Sequence, residues 1–85
     1  MNIGEKDVWY LSFVDVYRPV GQRWLGGCYV LASSLAEAAS EAWRMDCNPG
    51  GEISAFGLED GQTCKPEYMN RILNKTEVDE AVSRE

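Results

Sequence analysis

Ser34-Leu-Ala-Glu-Ala-Ala-Ser-Glu-Ala-Trp-Arg-Met-Asp46 is the stretch that decides the fold. Leu35, Ala38, Ala39, Ala42 and Trp43 recur at helical spacing and make one apolar stripe, while Glu37, Glu41 and Arg44 fall off it toward solvent. Ser34 with Glu37 three residues on fits a capping box, so the helix is expected to start there and run to about Asp46. Its many alanines allow close approach to a sheet. Strand signals lie on both sides, so the helix is read as the crossover of a strand–helix–strand unit.

Upstream, residues 8–16 are rich in β-branched and aromatic types and read as a strand. Trp9, Leu11 and Phe13 share one face, and Val8, Tyr10, Val14 and Val16 the other, interrupted by Ser12. Both faces are apolar enough to be at least partly covered. Tyr17–Arg23, broken by Pro19 and Gly21, reads as a loop longer than a tight hairpin needs. Trp24–Ala32 reads as a second strand, with Leu25, Tyr29 and Leu31 on one face and Trp24, Cys28 and Val30 on the other. Gly26 and Gly27 inside it suggest a bulge or a close contact.

Downstream, Glu52–Glu59 reads as a third strand and Asp60-Gly61 as a turn. Pro66 opens an expected second helix within Cys64–Asn74, with Tyr68, Met69, Ile72 and Leu73 at helical spacing. Thr76-Glu77-Val78-Asp79 reads as a further cap, so residues 1–76 are expected as one compact domain and 77–85 as an acidic, frayed helical tail.

The expected fold class is α+β: a ββαβ(α) chain with a small mixed three-stranded sheet, one main helix on one face and a short C-terminal helix. The first two strands are expected to pair antiparallel. A right-handed crossover would then set strands two and three parallel. This order starts strands two and three at one end of the sheet. The Tyr17–Arg23 loop and the Asn48-Pro49-Gly50-Gly51 joint should therefore meet there, gathering Asp15, Arg18, Gln22, Arg23, Asn48, Gly50 and Gly51, flanked by Tyr17 and Trp24. The second sheet face needs a cover, either the C-terminal segment or a second copy, so a homo-oligomer is expected.

Eighty-five residues, 45% apolar and 26% charged, make one small folded domain rather than a disordered chain. The net charge of −6 is uneven: residues 1–45 carry five acids and four bases, residues 46–85 nine acids and four bases. Such a chain repels nucleic-acid phosphates at long range, which argues against general nucleic-acid binding. Cys28, Cys47 and Cys64 are odd in number and widely spaced, arguing against a disulfide framework and a zinc site. Histidine, the commonest general base and metal ligand, is absent from the sequence. No catalytic residue, metal or cofactor is expected, and an enzyme is the weakest class. Met1–Asp7 is polar and charged, and no apolar run is long enough to span a bilayer, so a reducing cytoplasmic setting without membrane contact is expected.

The Asn48–Glu52 joint has two readings. It is a helix stop, with Pro ending the helix and Gly supplying the left-handed residue, or it is an anion nest of Gly-rich peptide N–H groups. The nest signal is weaker than a P-loop, since no Lys-Ser/Thr follows. Arg18 and Arg23 alone read as surface charge, with Asp15 as a candidate partner. Beside the joint they could grip a phosphate through two parallel hydrogen bonds. The candidate ligand-binding set is Tyr17 for stacking, Arg18 and Arg23 for charge, Asn48 for a polar contact, and Gly50 and Gly51 for N–H donors.

The pattern Trp9-Tyr10-Leu11-Ser12-Phe13-x-Asp15, then Leu25-Gly26, Asn48-Pro49-Gly50-Gly51-Glu52 and Asn70-Arg71-Ile72-Leu73, resembles a family of small proteins of bacteria and their phages. The resemblance spans Trp9 to about Glu77, and the Asn-Pro-Gly-Gly-Glu element is its most distinctive part. It implies a phage or mobile-element origin and an accessory role, in the host cytoplasm if phage-encoded. The leading expectation is a protein that sequesters a small anionic ligand, a nucleotide immune signal of the host being the specific case (anti-defence). The alternative is a protein–protein interaction module that inhibits a host protein through its acidic or apolar surface.

Overall fold

A computed structural model describes residues 6–58 and 61–84. Strand β1 (Asp7–Val14) is followed by β2 (Trp24–Ala32), helix α1 (Leu35–Arg44), β3 (Glu52–Gly57), β4 (Gln62–Cys64), a 3-10 turn (Pro66–Tyr68), helix α2 (Lys75–Ala81) and β5 (Val82–Arg84). The class is α+β as expected, with a small sheet, a main helix and a short C-terminal helix.

The sheet order is β2-β1-β3, with β1 antiparallel to both neighbours. The expected mixed sheet is thus corrected to an antiparallel one. β2 and β3 do run in the same direction, but β1 lies between them and the crossover through α1 passes it. The physical reason lies in β1 itself. It is apolar on both faces and free of glycine, so it suits the centre, where a strand makes hydrogen bonds along both edges. β2, interrupted by Gly26 and Gly27, takes the edge.

One face of the sheet carries α1. Leu11, Phe13, Cys28, Val30, Ala32, Ala38, Ala42 and Cys47 are buried together there, with Trp9, Leu25, Met45, Ile53 and Ala55 packed around them. Only Ala38 and Ala42 of the helix are fully inside; Leu35 and Trp43 stay exposed, Trp43 by 70%. The stripe that meets the sheet is narrower than the sequence periodicity suggested, because alanines let the helix sit close and tip its larger residues outward. Ser34 Oγ accepts from the Glu37 N–H at 3.2 Å, as expected of the cap. Glu37 closes the box one residue early: its carboxylate accepts from Ser33 Oγ at 2.8 Å and from the Ser33 N–H at 3.4 Å.

The helix ends before the proline and glycines. The Asp46 N–H donates to Trp43 O (3.1 Å) and the Cys47 N–H to Ala42 O (3.0 Å), with Asp46 in the left-handed region at φ 56°. These two bonds are the paired closing bonds of a Schellman stop. Asp46 occupies the position usually given to glycine, a conformation Asp tolerates better than most residues. The expectation that Pro49 and a following glycine stop the helix is corrected accordingly.

A bulge explains a second difference. Phe13 pairs with Gly26 but Val14 pairs with Trp24, so Leu25 has no opposite number. The extra residue reverses the alternation at the start of β2. Leu25 therefore joins Cys28 and Val30 on the α1 face, while Trp24 joins Tyr29 on the other, the reverse of the expected assignment. Trp24 Nε1 donates to Ser12 Oγ at 3.0 Å on that second face.

The second face is covered by the C-terminal segment. Tyr29, Leu73, Val78 and Ala81 are buried there, with Val8, Tyr10, Trp24, Leu58, Tyr68, Met69 and Val82 around them. The expected helix across Cys64–Asn74 shrinks to the single turn Pro66–Tyr68. Beyond it the backbone runs along the outer edge of β2: the Leu73 N–H donates to Gly27 O at 2.7 Å, the Gly27 N–H to Leu73 O at 3.2 Å, and the Asn70 N–H to Tyr29 O at 2.9 Å. Asn70, at φ 60°, breaks the helical path. Edge hydrogen bonds win over side-chain periodicity here. The frayed tail is likewise replaced by a capped helix: Asn74 and Glu77 form a full capping box, Val78 and Ala81 are buried, and β5 pairs with β4. The expected Asp60-Gly61 turn lies partly outside the described residues.

Glu37 and Glu77 hold both helix starts, and their carboxyls lie below the ordinary glutamate range. For Glu37 the causes are hydrogen bonds from Ser33 and then Lys6; for Glu77 they are the Asn74 backbone N–H and then Arg71. A carboxylate whose folded pKa is lowered adds stability above its unfolded pKa and loses it as pH falls through the folded value. Thermal midpoints are expected to fall on acidification below the ordinary glutamate range. The Glu37→Gln plus Glu77→Gln variant should show a shallower acid limb.

Candidate functional site

The structure places the two loops named from the sequence at one end of the sheet. Val14 pairs with Trp24 on one side and Glu52 on the other, so the Tyr17–Arg23 loop and the Asn48–Gly51 joint both leave from the Val14 end. Several of their polar groups, however, have local partners. Arg18 Nε lies 3.5 Å from Asp15 Oδ2, and Arg23 Nε donates to Arg18 O at 2.8 Å. The Tyr17 N–H donates to Asp15 Oδ1 at 3.0 Å, and the Asp15 N–H to Arg23 O at 2.8 Å, closing the loop on itself. In the joint, the Gly50 N–H donates to Asn48 Oδ1 at 2.7 Å, making an Asx turn rather than an outward nest. Gly51, at φ 75°, serves close approach: a Cβ there would lie 2.5 Å from Val14 O. Gly50, at φ 99°, faces open space. Tyr17, at the start of its loop, is 96% exposed.

A site the sequence reading passed over lies on the second face. Tyr29, Tyr10 and Phe56 are direct cross-strand partners on β2, β1 and β3. Their rings form a row across the sheet, with centroids 5.1 Å apart for Tyr10–Tyr29 and 6.3 Å for Tyr10–Phe56, within the range of favourable aromatic contact. Gly27 makes room for it: a Cβ there would lie 2.7 Å from Tyr10 Cε1. Burial falls along the row, from Tyr29 at 4% exposed to Phe56 at 55%. Beside the row runs a groove of about 410 Å³, lined further by Leu58, Gln62, Val78, Asp79 and Val82. That volume falls within the usual range for ligand clefts.

No protein-family model, curated protein or solved structure matches the chain. Chemistry must therefore be judged from the groove and the loops alone.

Among the described residues no group of three or more His, Cys, Asp or Glu side chains could hold a metal ion, and no helix is long and apolar enough to cross a membrane. Tyr29 donates to Val78 O at 3.3 Å, tying β2 to α2 under the groove. Burial, followed by the charges around it, pushes its phenol up to about 12. A raised folded pKa contributes stability below the unfolded value and loses it as pH rises through the folded one. In an ultraviolet phenolate titration one tyrosine should ionise only near 12, and Tyr29→Phe should abolish that phase. The same substitution should cost about 1 kcal/mol through the lost hydrogen bond.

Two of the three thiols lie in the core on the α1 side. Cys28 and Cys47 are both buried side by side; the Cys47 thiol together with burial drives Cys28 upward, while the hydrogen bond with Cys28 draws Cys47 downward. Cys64 is half-buried and raised by burial and Glu67. A thiol reagent should label Cys64 first, with Cys28 and Cys47 reacting at the rate of unfolding.

Proposed function

We propose that the chain is a non-catalytic protein–protein interaction module, with the groove beside Tyr10 and Phe56 receiving an apolar side chain of its partner. The observation that carries this is the aromatic row, which begins in the core and ends half exposed on the outermost strand. An exposed aromatic anchored by buried ones is a rigid contact that loses little side-chain entropy on binding. In this reading the role is an accessory one in the cytoplasm, the partner being a host protein. The C-terminal segment already covers most of the second face, which weakens the need for a second copy there and leaves the exposed part to a partner.

The test is a photo-crosslinking residue at position 56 in cells that express the chain. A discrete, stoichiometric protein adduct from position 56, absent from position 17, is expected. Adducts from position 17 alone, or from neither, defeat the proposal.

A second reading keeps the small anionic ligand, a nucleotide in particular, at the loop end. It is supported by the shared origin of Arg18, Arg23 and Gly51 at the Val14 end of the sheet. Binding there would require Arg18 to exchange Asp15 for the ligand. Calorimetry with cyclic and ADP-ribose-type nucleotides tests it: heat that Arg18→Ala plus Arg23→Ala abolishes would favour this site over the groove.

A further inference from the structure

We propose that the outer edge of β3 takes up an extended, basic segment of the partner as a fourth strand of the sheet. This rests on the interaction-module reading and names the partner's chemistry.

The two edges of the sheet differ. The edge of β2 is occupied by the chain's own residues 69–73, bonded to Gly27 and Tyr29. Among the described residues nothing pairs with the far edge of β3. Folded proteins usually defend such an edge with lysine, proline, a bulge or a covering segment. Ile53-Ser54-Ala55-Phe56-Gly57 is uncharged, without proline, and paired with β1 in continuous register, and no described residue pairs along its far side. An added strand gains main-chain hydrogen bonds along this edge, and alternate side chains of the strand fall on alternate faces. Those on the face shared by Ser54 and Phe56 come to lie beside Phe56, at the mouth of the groove. One binding event would thus use both the backbone groups of this edge and the aromatic row.

Charge selects the occupant. The molecule carries −6 overall, Glu52 is exposed where β3 begins, and Asp79 lines the groove. An incoming strand bearing lysine or arginine among its apolar residues complements that field and is steered by it. A second copy of this chain brings a further −6 and its own Glu52 to the same edge, so self-pairing lacks the complementarity that a basic segment has.

The experiment is a selection from a displayed library of random nonapeptides against the whole chain. Amide hydrogen exchange then follows with the most enriched sequence, made both unmodified and N-methylated at alternate residues. Enrichment of lysine, arginine and β-branched residues with loss of proline is expected, as is slowed exchange within residues 53–57. Binding should weaken about tenfold or more with N-methylation, and by a similar factor with Ser54→Lys, which sets a like charge on the edge. The N-methyl comparison uses the unaltered protein and so does not depend on the variant folding. Enrichment of acidic sequences, or no enrichment, overturns the proposal. So does slowed exchange of 53–57 that grows with protein concentration in the absence of peptide, which would mark a second copy as the occupant. A peptide that perturbs Tyr10 and Phe56 yet ignores N-methylation overturns edge pairing while leaving the groove in use. Failure of the crosslink at position 56 removes the underlying reading instead.

Discussion

Gly51→Ala should remove about 3 kcal/mol or more of stability, measured by urea unfolding. Two terms add. At φ 75° an L side chain carries about 1–2 kcal/mol of strain. Its Cβ would also stand 2.5 Å from Val14 O and 2.9 Å from Val14 C. Neither atom can yield cheaply, because Val14 is paired on both sides, to Trp24 and to Glu52. Overpacking of this kind costs typically about 1–3 kcal/mol. Against a total of about 5–15 kcal/mol for a native domain, that loss is severe. Gly50→Ala is the control. Its Cβ would meet open space, so only the strain at φ 99° remains, and a loss of about 1–2 kcal/mol is expected. Equal losses at the two positions would show that the close approach of the joint to β1 is not what the second glycine serves.

Leu73→Ala should cost about 2–5 kcal/mol, the usual range for truncating a buried leucine. Leu73 is 2% exposed and shares its core with Tyr29, Val78 and Ala81. Both of its backbone groups bond to Gly27, so the variant keeps the edge bonds and loses only packing. The damage should fall on the second face. Exchange protection should drop for Asn70 and Leu73 and for α2 before it drops for β1, and near-ultraviolet dichroism should lose the Tyr10–Tyr29 contribution. Uniform loss across both faces would mean that the two clusters unfold as one.

The elements of this chain were legible wherever local chemistry governs. The span of β2, the start of α1 at Ser34 and the special roles of Gly26 and Gly27 all follow from single residues and their near neighbours. What was misread depends on competition between distant segments. β3 could pair with β1 or β2, and only the two apolar faces of β1 hint at the answer. Residues 69–73 have helical spacing, yet the unsatisfied edge of β2 draws them into an extended path. The bulge at Leu25 exchanged the faces of two residues without altering any propensity. For the site, the co-location of the two loops was readable from strand direction alone. The local hydrogen bonds of Arg23 and Gly50 were not, since Asx turns and backbone carbonyls offer partners that no spacing rule reveals. The aromatic row was hidden by the pairing error: Tyr10 and Phe56 become neighbours only when β3 lies against β1.

The unequal edges of the sheet also limit how this protein can assemble. Within the three-stranded sheet, and among the described residues, a strand can be added along β3 but not along β2, where the chain's own residues 69–73 lie. That sheet therefore offers one strand-accepting valence. Pairing through it ends after a single addition, so this sheet gives head-to-tail strand exchange no second attachment point from which to grow.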